Sequence, residues 1–235
     1  MEKKKFYTEL AYLLGLLALA LGAALMEKAD FGMSMVVAPA YLLYARLSQI
    51  WSFVTFGMME YLLQAALLLC MILLLRKFRI FYLFSFITAI LYGFLLDGCM
   101  ALVGIMSADL FVCRLVFYIS GVCLCSIGVA FMFHTYIAPE VYELIVKEIA
   151  AHFQWKIHRV KTCYDCLSCL TAVILSFAFF GLGRFEGVKL GTILCAFING
   201  WLIGRCGQWM ERHWDFQDAF PLRRFFVSGP DIKKT

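Results

Sequence analysis

Six apolar runs, each long enough to cross a lipid bilayer, fill most of this 235-residue chain and leave little between them. A spanning helix needs about 20 mostly apolar residues to cross a hydrocarbon layer of roughly 30 Å. Inside that layer the backbone must satisfy its own hydrogen bonds, which restricts such runs to helices or a closed barrel. Unbroken runs of this length read as helices. The polar inventory agrees: only 16% of residues are charged and 63% are hydrophobic, whereas soluble domains are about a quarter charged. The expected fold is an all-α polytopic membrane protein with six transmembrane helices and no additional soluble domain.

The spans are predicted at residues 10–26, 58–75, 80–103, 113–134, 164–180 and 188–204. Two connections carry structure of their own, and both open on Ala-Pro, at Pro39 and at Pro139. Proline suits the first turn of a helix. Residues 39–50 are therefore expected to form a short helix in, or dipping into, the membrane. In the second connection the apolar positions 141, 144, 145, 149 and 153 follow helical spacing. That pattern predicts an amphipathic helix over 140–153, which either rests on the bilayer or serves to dock a partner or gate a pore.

Lys3-Lys-Lys5 followed by an apolar run resembles a signal peptide, but the run of about 17 residues is too long for the usual apolar core and no small-x-small site is followed by a polar chain, so residues 10–26 are expected to stay as the first span. With the N-terminus inside, the inner segments hold sixteen Lys and Arg and the outer segments five. This asymmetry predicts both termini in the cytoplasm. The net charge of +5 is thereby a matter of topology, and no nucleic-acid partner is expected. Cys163, Cys166 and Cys169 have CxxCxxC spacing without a fourth ligand or a trailing Cys-Pro. They sit where a spanning helix begins and read as ordinary cysteines, while most of the others, inside apolar runs, read as small buried residues; neither metal nor other cofactor is expected.

The chain reads as one half written twice. Glu60 and Asp165 each stand at the mouth of an apolar run, and each follows an Ala-Pro segment. Thr88-Ala-Ile-Leu after the first compares with Thr192-Ile-Leu after the second. Three spans per half is an odd number, so the second copy must lie upside down. The expected organisation is a 3+3 inverted repeat, residues 1–109 and 110–207, with a cytoplasmic tail at 208–235. Inverted repeats with interrupted helices recur in secondary transporters, whose sites lie where the repeats meet.

Several short words resemble the YczE/YyaS/YitT family of bacterial integral membrane proteins. They are Ala29-Asp-Phe-Gly-Met-Ser34 with Ala38-Pro39, Phe56-Gly57 with Glu60, Ala138-Pro139-Glu140, Lys161-Thr with Asp165, and Gly191-Thr192-Ile with Asn199-Gly200. The resemblance implies a bacterial plasma membrane and a six-span core, and suggests transport without a substrate.

Acids at the edge of hydrocarbon are costly and tend to face a partner or a water-filled cavity. Glu60 and Asp165 are accordingly the first candidates for binding an ion or a proton, since burial favours the uncharged carboxyl. Lys161, four residues before Asp165, is the candidate partner. Asp97 is a further candidate acid, although its place near the outer interface favours a boundary role. Gly32, Ser34, Gly191 and Thr192 offer small residues and hydroxyls where backbone can approach a ligand, and Asn199 needs a polar partner within its span. His134, Pro39 and Pro139 are candidates for gating or relay. Gly200 and Gly204, four apart, are expected to serve helix packing.

No grouped nucleophile and base, HExxH, phosphate loop or dinucleotide fingerprint occurs, so an enzyme is not expected. The leading expectation is a small secondary transporter, working alone or as a homodimer, that moves a small molecule or ion across the bilayer with coupling to a proton or cation. The alternative is a non-transporting partner that stabilises or regulates another membrane protein or an enzyme.

Overall fold

The computed structural model describes residues 3–76, 78–155, 157–181 and 188–220; the expected tail beyond residue 220 and Arg184, counted among the outer charges, lie outside the described residues. Among them the chain forms eight helices and one two-stranded sheet. In order these are β1 (Lys4–Tyr7), α1 (Thr8–Ala29), α2 (Ala38–Leu47), α3 (Phe56–Leu75), α4 (Phe81–Gly104), α5 (Phe111–Phe133), α6 (Val141–Phe153), α7 (Ile157–Phe180), α8 (Leu190–His213) and β2 (Trp214–Gln217). Helices α1, α3, α4, α5 and α7 are long and apolar enough to span a membrane, and α8 makes a sixth if its two segments, bent by 44°, count as one span. The protein is an all-α, multi-pass membrane protein.

Glycine brings the first spans of the two chain halves together. Gly15 and Gly22 of α1 face Gly128 and Gly121 of α5, and a Cβ at any of the four would stand 2.8–3.1 Å from a carbonyl oxygen of the opposite helix. With no side chain between them, the backbones can approach until dispersion across the seam is large. Helices α3 and α4 meet in the same way, since a Cβ on Gly57 would lie 2.0 Å from the Gly93 carbonyl oxygen. Around these seams α1 packs on α4, α5 on α8, α2 on α7 and α3 on α6.

The short helices α2 and α6 are not surface riders. Ala38, Pro39, Ala40 and Leu42 of α2 are buried, as are residues 141–146 of α6. Val141, Leu144 and Ile145 pack into a core with Leu68, Met71 and Leu75 of α3 and Tyr82 and Ala89 of α4. Of the two readings for the second connection, the structure excludes a helix that simply rests on the bilayer.

Two boundaries and one packing role differ from expectation. Helix α7 starts at Ile157 rather than near residue 164, so Asp165 lies two turns inside it instead of at its mouth. Polar residues enter this helix because Lys161 pairs with Asp165 one turn on. Helix α8 runs past Gly204 to His213, where Met210 packs with Ala11, Ala130 and Phe131. Gly200 and Gly204 do not serve packing among the described residues, since a Cβ at either would meet nothing within 4 Å.

The ends of the bundle are tied by polar knots. Strands β1 and β2 pair in parallel, Lys4 opposite Trp214 and Tyr7 opposite Gln217. Beside them Glu9 accepts hydrogen bonds from the Tyr136 hydroxyl (2.7 Å) and the N–H groups of Ala219 (3.0 Å) and Phe220 (3.1 Å). The start of the chain, the α5–α6 connection and the segment after α8 therefore share one face. At the other end Asp30 pairs with Arg114 at 2.9 Å and with Lys189.

Candidate functional site

Glu60 sits one turn into α3 and is fully buried, as is Gln64 one turn further on. The N-terminus of α6 meets them. Val141 N–H donates to Gln64 Oε1 at 3.0 Å, which fixes the orientation of the amide. Gln64 Nε2 must then face the acids, donating to Glu60 Oε1 at 3.4 Å and to Glu140 Oε2 at 3.3 Å. Glu140, the residue before α6, is 5% exposed, and its carboxyl lies at the positive end of that helix.

The Tyr142 hydroxyl faces Glu60. That contact falls short of a well-formed hydrogen bond: Tyr142 OH, Glu60 Oε2 and Glu140 Oε1 all lack a partner among the described residues. Burial above all, then the neighbouring Glu143 and Glu60 carboxyls, holds Glu140 well above the usual carboxylate range. Burial and Glu60 likewise push the Tyr142 phenol up.

On the α7 side Lys161 Nζ stands 3.2 Å from Asp165 Oδ1 and 3.5 Å from Glu143 Oε1. The approach to Asp165 is an ion pair rather than a well-angled hydrogen bond. Tyr164 interacts with Glu60, Glu143 and Asp165 together, so the two halves of the cluster are contiguous. Four carboxyl groups, Glu60, Glu140, Glu143 and Asp165, are thus gathered from three helices. Lys161 is held between two of them, and Lys147 turns its ammonium onto the Phe133 ring 5.5 Å away. Such a set is suited to holding protons or a cation. Among the described residues no three His, Cys, Asp or Glu converge as a metal site.

The structure therefore brings Glu60, Asp165, Lys161 and the turn after Pro139 into one place. Gly32, Gly191 and Thr192 meet at another, where the turn after α1 touches the start of α8. There Gly191 N–H donates to the Phe31 carbonyl at 3.0 Å, and a Cβ on Gly32 would lie 2.5 Å from Thr192 Oγ1. A shallow pocket beside them is lined by Glu27, Asp30, Gly32, Met33, Tyr41 and Lys189. Ser34 is buried close by in sequence, and its carbonyl accepts from the N–H groups of Val37 and Ala38 as the chain turns into α2, where Pro39 occupies the first turn.

Other candidates hold helices in place. Asp97 accepts from the Gly57 N–H (2.8 Å) and the Thr55 hydroxyl (2.7 Å), completing the cap of α3. Asn199 Oδ1 accepts from the Ser126 hydroxyl at 2.9 Å and joins α8 to α5. His134 donates to the Ala130 carbonyl at 2.7 Å, stacks on Phe216 and reaches Glu211 at 3.3 Å, outside the carboxylate cluster.

Sequence reasoning did not single out Gln64, Glu140, Tyr142 or Glu143 as site residues. Gln64 carried a signal, being an amide one turn after Glu60 in an otherwise apolar run. Glu140 stood in the Ala138-Pro139-Glu140 word without a role attached to it, and Glu143 carried no signal, because acids in the first turn of an amphipathic helix are common at a water interface.

Comparison with curated proteins and with solved structures returned no match. A family model does match, over residues 6–208, from β1 through nearly all of α8. On that coverage the chain belongs to DUF6198, a family of unknown function.

Proposed function

We propose that this protein is a small secondary transporter of the bacterial plasma membrane, built as a 3+3 inverted repeat with both termini in the cytoplasm and coupled to a proton. The observation that carries the reading is the Glu60–Gln64–Glu140 cluster, two buried acids from different halves of the chain joined by one amide. Buried ionisable groups in a membrane protein mark ion or substrate pathways.

The repeat is supported by contacts that survive exchange of the halves. Gly15 and Gly121, Gly22 and Gly128, and Tyr12 and Tyr118 are each 106 residues apart. The close pairs Gly15–Gly128 and Gly22–Gly121 turn into one another under that shift. Tyr12 meets Thr88 at 2.8 Å, whose hydroxyl donates to the Ala138 carbonyl. Tyr118 correspondingly donates to the Gly191 carbonyl at 2.6 Å, and Gly191 N–H donates to Phe31. Packing of α2 on α7 is answered by α6 on α3, and α1 on α4 by α5 on α8. Two such halves can exchange conformations, opening the site first to one side and then to the other. The similarity to the YczE/YyaS/YitT family points the same way.

The test is purified protein in liposomes with a trapped pH dye, screened against small solutes. Solute-dependent proton movement that is lost in Glu60→Gln, and reduced in Asp165→Asn, is the expected result. Silence across the panel from correctly folded protein would replace this reading with that of a non-transporting membrane partner.

A further inference from the structure

The transporter reading assigns the cluster a proton but no solute. Glu143 and Asp165 share the Lys161 ammonium, whereas Glu60 and Glu140 share only the Gln64 amide. Both N–H bonds of that amide are taken, one by each acid, and Val141 N–H occupies its oxygen. What remains is Glu60 Oε2 and Glu140 Oε1, two buried acceptors without a well-formed partner among the described residues, with the Tyr142 hydroxyl turned towards Glu60 but too poorly placed to satisfy it. Buried acceptors left unpaired are costly, so this place calls for donors.

The chemistry narrows the class of solute. An anion would meet further carboxylates. A neutral polyol would leave the charge of an ionised buried carboxyl uncompensated. A donor-bearing cation fits the oxygens and also the aromatic faces around them. The cluster already holds one, since Lys161 Nζ lies 5.8 Å from the centroid of the Tyr164 ring. Resting on the transporter reading, we infer that the solute is a small cation with N–H donors, a primary ammonium or a guanidinium, which replaces the proton on Glu60 and Glu140.

The exchange balances without any bond in the solute being made or broken. For each positive charge that enters, one carboxyl O–H gives up its proton to water on the same side, and the buried charge is unchanged. The charged groups facing Glu140 are Glu60 from α3, Glu143 from its own helix and Lys161 from α7. Tyr92 from α4, Tyr12 from α1 and Cys125 from α5 also face it, and phenols and thiols are ordinarily uncharged near neutral pH. Lys161 is the one ammonium among these groups, and its two ion pairs leave Glu60 and Glu140 to the solute.

The experiment uses the full chain in detergent, in weakly buffered solution near neutral pH with an indicator dye. It is titrated with methylammonium chloride or guanidinium chloride at concentrations well below denaturing. Sodium chloride controls for ionic strength, tetramethylammonium for a cation without N–H donors, lactate for an anion and glycerol for a neutral solute. Saturable proton release with methylammonium or guanidinium alone is the expected result, with loss of that release in Glu60→Gln and Glu140→Gln. The unmodified protein decides the matter even where a variant fails to fold. Equal release with tetramethylammonium or sodium would overturn the inference, as would proton-coupled entry of lactate or glycerol into vesicles, and both would leave a transporter standing. No response to any solute, in solution or in vesicles, would overturn the inference and the transporter reading together.

Discussion

Glu140 joins burial to pH. Its folded-state pKa is raised, so the folded protein holds a proton there that the unfolded chain has released at the same pH. The contribution of Glu140 to stability is complete below the ordinary carboxylate range and is lost as pH rises through its elevated value. Glu140→Gln keeps the shape and stays neutral. Melting temperatures measured from acidic to alkaline pH should therefore converge with those of the parent at low pH and exceed them as pH rises. A variant that tracks the parent across the range would mean that Glu140 is not buried as a protonated acid. Gln64 is the second pivotal residue, because its amide serves two acids and a helix N-terminus at once. Gln64→Leu leaves those groups unpaired and should cost about 1–3 kcal/mol or more in chemical unfolding. Glu60 and Asp165 could be found in the sequence because an acid within an apolar run is unusual whatever surrounds it. Glu140 and Glu143 could not, since nothing local says whether the first turn of an amphipathic helix faces water or protein.

Among the elements, glycine decides which pairs approach closely. Gly57 has no space for a methyl group, because its Cβ would lie 2.0 Å from a backbone oxygen of α4. Gly57→Ala should force α3 away from α4, at about 1–3 kcal/mol for overpacking, and should disturb the cap that Asp97 forms on the same helix end. Gly98, on α4 with nothing within 4 Å, is the control; Gly98→Ala should leave thermal stability within about 0.5 kcal/mol of the parent. The glycines of α1 and α5 are visible as residues in the sequence, but the partner each one faces is not. Helix α7 shows the limit of reading boundaries from hydropathy. Its first turns are polar, and Lys161 within them pairs with both Asp165 on its own helix and Glu143 on α6, partners that hydropathy does not register.

At the scale of the whole molecule, the parallel β1–β2 pair and the Glu9 knot hold the segments before α1 and after α8 on one face of the bundle. In a cysteine-free background, Lys4→Cys and Asp215→Cys should both react with a membrane-impermeant maleimide from the same side, and Asp109→Cys from the other. Labelling of positions 4 and 215 from opposite sides would contradict the fold. The same arrangement packs α6 against α3, α4 and α7, so opening the carboxylate cluster requires α6 to part from α3 or from α7.

The membrane class, the number of spans and the two Ala-Pro helices follow from the amino-acid sequence alone, because hydrocarbon length and the need to satisfy backbone hydrogen bonds act on each segment separately. Two of the acids were legible for the same reason. Only the tertiary structure decided that Glu60, Glu140, Glu143 and Asp165 share one site, that Lys161 serves two of them, and that Asp97 and Asn199 brace helices. Those outcomes depend on which helix faces meet across the bundle, and an almost uniformly apolar helix carries little information about the direction in which it turns.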